Sequence, residues 1–180
     1  GYFEQFIPRL PAPSLIIKQP SPGQFVLSLP LAVGTPELIG SICAMDNVYG
    51  YIAGGNIRFE YRTRQFIPQD KKFWVGNGTL LVPCGVLGAN GACLMFGNIG
   101  PEACLDIIGL LMKGRLTEAQ EIQVKLIEAD HRILARGAAG IKGALDLLGY
   151  VGGPPRKPSK PLTAEEKTEI REALVAAELL

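Results

Sequence analysis

The sequence predicts an α/β fold with a parallel sheet, about half of an eight-stranded (β/α) barrel of the TIM type, followed by a C-terminal helical extension. Three observations predict it. Short apolar runs at Ser14–Lys18, Val48–Ala53, Lys72–Val75 and Gly91–Phe96 alternate with helical segments or long loops, the pattern of consecutive βα units. The runs lack an in/out alternation, as strands covered on both faces do. After Met112 only helical periodicity remains. Four such strands are half of a barrel that takes roughly 250 residues, and this chain has 180.

In order, Gly1–Leu10 reads as the end of a helix, stopped by Pro11 and Pro13, before the strand at Ser14–Lys18. Pro20, Pro22, Gly23 and Pro30 mark a loop, and Thr35 with Pro36 caps a helix to about Met45. Val48–Ala53 is the second strand. The mixed charges of Asn56–Phe66 predict a surface helix, and Lys72–Val75 is the third strand, ending in the turn Gly76-Asn77-Gly78-Thr79. A helix from Leu80 to about Leu87, a fourth strand over Gly91–Phe96 and a helix from Pro101 to Met112 complete a barrel-like part, residues 1–112. The extension, residues 113–180, has helices over Leu116–Arg136, Gly140–Leu148 and Thr163–Leu179. The first of these should bury Leu116, Ala119, Ile122, Val124, Leu126, Ile127 and Leu134. Thr163 and Glu166 form a capping-box pattern, and Gly149–Pro161 is a turn-rich link.

Composition narrows the partners. Eighteen Lys and Arg against 17 Asp and Glu leave a net charge of +1, too little bias for nucleic acid or an anionic membrane. Arg156, Lys157 and Lys160 sit in the proline-rich link and read as a solvated loop. No apolar run reaches the roughly 18–20 residues of a membrane span, because Lys18 and Asp106 interrupt the longest stretches. The first residues, GYFEQF, carry neither a signal-peptide pattern nor an initiator Met. Cys43, Cys84, Cys93 and Cys104 stand apart from one another and from His131. They predict reduced core thiols of a cytoplasmic protein and no zinc site. His131 beside Asp130 and Arg132 reads as a surface residue, and Tyr49 and Tyr51 as core.

Several stretches resemble the dihydrodipicolinate synthase / N-acetylneuraminate lyase family of aldolases, over about the second half of a family barrel. Ile141-Lys-Gly-Ala-Leu-Asp-Leu-Leu-Gly149, Gly152-Gly-Pro-Pro-Arg-Lys-Pro158 and Pro161-Leu-Thr-Ala-Glu-Glu166 are similar to the family's tail. Lys113-Gly-Arg-Leu-Thr-Glu-Ala119, Gly88-Ala-Asn-Gly91 and Gly97-Asn-Ile-Gly-Pro-Glu102 are similar to its scaffold. The resemblance implies a lyase that binds pyruvate or another 2-oxo acid as a Schiff base on a lysine at the end of the sixth strand. It implies no cofactor, and assembly with like subunits, a tetramer by family, or with another barrel half. A desolvated lysine loses its proton more easily, attacks the ketone, and the iminium then serves as electron sink.

The site residues depart from the family. Asn47-Val-Tyr-Gly-Tyr-Ile52 matches the lysine-bearing strand and puts Ile52 at the lysine position. Pro13-Ser-Leu-Ile-Ile-Lys-Gln-Pro20 puts Ile17 at the position of the proton-relaying tyrosine and Lys18 at a neighbouring asparagine. Lys18 is the one lysine near a strand end, although alternation sends it opposite to Ile17, out of the barrel. Gly76 and Asn77 offer backbone amides at a helix start, and Cys93 and Asn98 lie where family members contact the substrate carboxylate. Lys142 reads as a structural helix residue. Two functions follow: a Schiff-base lyase or aldolase with altered site residues, or a catalytically silent relative serving as a binding or structural subunit.

Overall fold

A computed structural model describes the backbone of residues 14–17 and residues 35–54 and 56–180 in full. The helix expected over Gly1–Leu10, the loop after Pro20 and Lys18 fall outside the described residues. Two compact units divide the chain, Gly1–Cys93 and Leu94–Leu180.

The first unit is organised on a parallel sheet in the order β1 (Ser14–Ile17), β2 (Val48–Ala53), β3 (Lys72–Val75). Thr35 accepts a hydrogen bond from the Leu38 amide, and Pro36 occupies the first turn of α1 (Pro36–Cys43). These are the start signals that the sequence carries. Asn56 caps α2 (Ile57–Arg64). This helix is not only a surface element, because Glu60 and Thr63 on it are fully buried. A 3₁₀ turn over Gly78–Leu80 leads into α3 (Leu81–Val86).

The fourth strand expected over Gly91–Phe96 is a correction. Only one isolated bridge forms, Ala92 beside Val75, and Phe96–Asn98 is a 3₁₀ turn. Gly91 and Ala92 bring little strand preference, so the backbone leaves the sheet after a single bridge. The barrel-like part therefore holds three strands and a bridge among the described residues.

The second unit packs α4 (Pro101–Met112), α5 (Leu116–Leu134), α6 (Gly137–Leu147) and α7 (Ala164–Ala176). Helix α5 is central and contacts each of the other three. Its buried residues are Ala119, Gln123, Leu126, Ala129, Asp130 and Ile133. The predicted stripe was therefore partly misplaced: Val124 is 61% exposed, and Leu116 and Ile127 also face solvent. The core face combines the small Ala119 and Ala129 with Leu126 and Ile133, and Val124 lies off it. His131 is exposed, as expected.

Ion pairs bind α7 to the α5–α6 junction: Arg136 contacts Glu166 at 3.4 Å and Glu169, and Arg132 reaches Glu169 at 3.9 Å. The capping box forms as the sequence predicts, with the Glu166 amide donating to Thr163 Oγ1 at 3.2 Å and the Thr163 amide donating to Glu166 Oε2 at 2.8 Å. Replacing Thr163→Ala removes the cap and should lower stability by about 1 kcal/mol. Urea unfolding should show a lower midpoint at an unchanged slope; an unchanged midpoint would mean that α7 does not depend on its cap.

Candidate functional site

Pairing between β2 and β3 sets Tyr51 beside Phe73, Ile52 beside Trp74 and Ala53 beside Val75. Successive side chains on a strand take opposite faces. Tyr51 and Phe73 stack at 6.1 Å on the face that meets α2, where Tyr51 donates its hydroxyl proton to Glu60 Oε2 at 2.9 Å. Ile52 and Trp74 take the other face.

That second face is built to close tolerances. A Cβ on Gly76 would stand 2.8 Å from Ile52 Cγ2, and one on Gly91 would stand 2.8 Å from Trp74 Nε1. Only glycine leaves room for these two side chains. The β1–β2 register slips between Ser14↔Val48 and Leu15↔Gly50, which leaves Tyr49 as an extra, bulged residue. Its ring meets Trp74 edge-on at 6.3 Å, and it is 45% exposed, whereas Tyr51 is fully buried. The core placement expected for both tyrosines thus holds for Tyr51 alone.

Ile52 is 2% exposed, a packed aliphatic group with no proton to give or take. Around it stand Trp74 and the turn after β3. The Gly76 amide donates to the Ala53 carbonyl at 2.5 Å, and Asn77 Oδ1 accepts from both the amide and the hydroxyl of Thr79. The Gly76 amide and the Asn77 carboxamide oxygen are thereby committed within the protein. Cys93 closes the same end of the sheet, its amide donating to the Val75 carbonyl at 2.7 Å and its thiol exposed. Gly76, Asn77 and Cys93 therefore share the end of β3. Asn98 belongs to the second unit, where its carboxamide nitrogen donates to the Met95 carbonyl at 2.9 Å.

Two described lysines, Lys71 of the first unit and Lys142 of the second, serve the scaffold. Lys71 Nζ donates to the carbonyls of Met45 and Val48, before and at the start of β2, the end opposite to Ile52. Lys142 Nζ donates to the Gly152 carbonyl at 2.6 Å and pins the link to α6, the structural role that the sequence predicts. No group of three or more metal-binding side chains occurs among the described residues, and no described helix is long and apolar enough to cross a membrane.

Sequence reasoning missed the polar cluster behind β2. Glu60 sits among Arg58, Arg62 and Arg64 and reads as a solvated charge, yet its carboxylate also accepts from the Gly54 amide at 3.3 Å. The only sequence signal was its distance of one helical turn from the equally buried Thr63. Burial, then the nearby Glu60 charge and hydrogen bond, drives the Tyr51 phenol far above its usual range. Burial pushes the Cys43 thiol up to about 12, partly offset by Lys71. The Cys84 thiol rises to about 12 through burial and then the Glu60 charge. These groups stay protonated and are inert toward chemistry near neutrality.

The pattern of the dihydrodipicolinate synthetase family matches residues 16–177. The 4-hydroxy-tetrahydrodipicolinate synthase of Archaeoglobus fulgidus is 27% identical over 148 residues, 81% of this chain and 51% of that relative. The chain thus spans about half the length of the curated relatives it matches. Dihydrodipicolinate synthase from Cyanidioschyzon merolae, solved with lysine bound, superposes with a TM-score of 0.73 at 26% identity, covering 81% of this chain and 50% of that one. YagE of E. coli K12, solved in complex with pyruvate, superposes with a TM-score of 0.83 at 18% identity, covering 99% and 60%. The likeness to YagE is one of fold alone.

Between 9.0, the free thiol value, and about 12, the native state holds protons on Cys43 and Cys84 that the unfolded chain releases. Their contribution is therefore complete below pH about 9 and lost as the pH rises toward about 12. Urea unfolding across this window should show falling stability, with a shallower fall in Cys43→Ala/Cys84→Ala. Equal slopes would rule out the thiols as the cause.

Proposed function

The chain belongs to the dihydrodipicolinate synthetase family, and from this we propose that it supplies the second-half part of a lyase-type barrel that takes pyruvate or another 2-oxo acid. The observation that carries the reading is the parallel register that gathers Ala53, Gly76 and Cys93 at one end of the sheet. Barrels of this class place their chemistry at that end. An imine needs an amine there, and β2 offers the aliphatic Ile52 instead. In the lyase reading the amine is Lys18, the one lysine that the sequence sets near a strand end.

One observation favours a second reading, a catalytically silent relative that acts as a binding or structural subunit. Ile52 is not an open substitution but a buried side chain fitted against Gly76. A charged lysine in its place would bear a desolvation cost of several kcal/mol. Both readings involve more protein than this chain, another barrel half or like subunits in a homo-oligomer. Apolar Leu105 and Met112, two turns apart on α4 and 67% and 74% exposed, suit cover by such a partner.

Intact mass measurement with and without pyruvate and borohydride separates the two readings. In the lyase reading, reduction traps a covalent pyruvate adduct that maps to Lys18 and disappears in Lys18→Ala. In the silent reading no adduct forms on any lysine, and Ile52→Lys stays inactive because Ile17 stands at the tyrosine position. Pyruvate-dependent turnover by Ile52→Lys alone would sink the silent reading.

A further inference from the structure

The second unit carries a groove of 560 Å³ between α4 and α5. Its lining includes the apolar Ile122, Leu126 and Leu179 and the carboxylates of Glu102, Asp106 and Glu178. Glu102 and Asp106 stand one turn apart on α4, both exposed and without an ion-pair partner among the described residues. Glu178 adds a third carboxylate, held by Lys125 at 2.7 Å. Three carboxylates thus face one ammonium, and like charges at i, i+4 repel one another. An occupant with an apolar body and several positive charges fits.

The same unit presents such a segment. In the link between α6 and α7, Arg156, Lys157 and Lys160 are all exposed, and none has an ion-pair partner among the described residues. Pro154, Pro155, Pro158 and Pro161 alternate with them and restrict the backbone. Both ends of the segment are fixed to α6. The amides of Gly152 and Gly153 donate to Asp146 Oδ1 at 2.8 and 3.3 Å, Lys142 holds the Gly152 carbonyl, and Leu162 fills the space that Gly143 leaves open. The cations are therefore displayed on an anchored loop that would lose little entropy on docking.

We propose that the occupant of the groove is the 154–161 loop of a second copy of this chain, with the exchange made reciprocally across a twofold axis. Each protomer carries both halves of the contact, as an isologous interface requires. The groove's excess of carboxylates meets the three cations of the partner's loop, and prolines cover its apolar residues. This contact stands apart from the sheet and from the 2-oxo acid reading, because every group in it belongs to the second unit.

Charge reversal on the full chain tests it by sedimentation velocity at low salt. Glu102→Lys/Asp106→Lys makes both groove and loop basic. Arg156→Glu/Lys157→Glu/Lys160→Glu makes both acidic. Each variant alone should dimerise at least about tenfold more weakly than the parent. Mixed in equal amounts, the two should recover a heterodimer, because every basic surface then meets an acidic one. Recovery also shows that both variants are folded. The parent dimer should weaken as salt screens the contact. A monomeric parent, association indifferent to either reversal, or failure of the mixture to associate would overturn the proposal. Loss in the groove variant alone would assign the groove to another basic partner and overturn it equally.

Discussion

A buried carboxylate sets the orientation of the central strand. Glu60 is enclosed between α2 and β2, where the Tyr51 hydroxyl and the Gly54 amide both donate to it. A carboxylate removed from water is tolerated only when its oxygens find donors. The pair therefore holds Tyr51 on the helix-facing side of the sheet. Alternation by single residues then leaves Ile52 no choice but the opposite face. Phe73 stacks on Tyr51, and Trp74 follows Ile52 for the same reason. One hydrogen-bonded pair thus fixes which residues of β2 and β3 face α2 and which take the opposite face.

The legible parts of the fold are those in which local chemistry and tertiary context agree. The runs at Val48–Ala53 and Lys72–Val75 became strands, and Thr35 with Pro36 and Thr163 with Glu166 began helices as their chemistry dictates. The failures have separate causes. Gly91–Phe96 reads as a strand, but a strand needs neighbours as well as apolar residues, and only Val75 supplies a bridge. Tyr49 and Tyr51 look equivalent, yet a bulge that no sequence pattern announces separates their environments. Val124 looks like core, but the buried face of α5 is the one that carries Ala119, Leu126, Ala129 and Ile133. Glu60 looks solvated because arginines flank it in sequence, yet it is buried, and Arg64 one turn later also turns inward, over the Phe73 ring.

The candidate site was legible in a different manner. Position 52 holds isoleucine whatever the fold, so the lack of an imine-forming group there needs no structure. What the structure adds is the fit: Ile52 rests against the space left by Gly76, and Trp74 against the space left by Gly91. Gly76 and Asn77 were singled out for their amides at a helix start. Their hydrogen bonds run inward, to Ala53 and Thr79, and close the turn on itself.

The two faces of such a sheet are separable because successive side chains sit on opposite sides of the same strands. Tyr51, Phe73 and Val75 meet the helices, and their replacement would open the core. Ile52 and Trp74 take the opposite face. The side chain at position 52 takes no part in the packing of β2 on α2. An aliphatic side chain there avoids the cost of a buried cation and leaves the Tyr51–Glu60 anchor intact. The helical unit supports itself in turn through the Arg132–Arg136–Glu166–Glu169 network. The match to the family over residues 16–177 is thus carried by a scaffold whose Tyr51–Glu60 anchor does not involve the side chain at position 52.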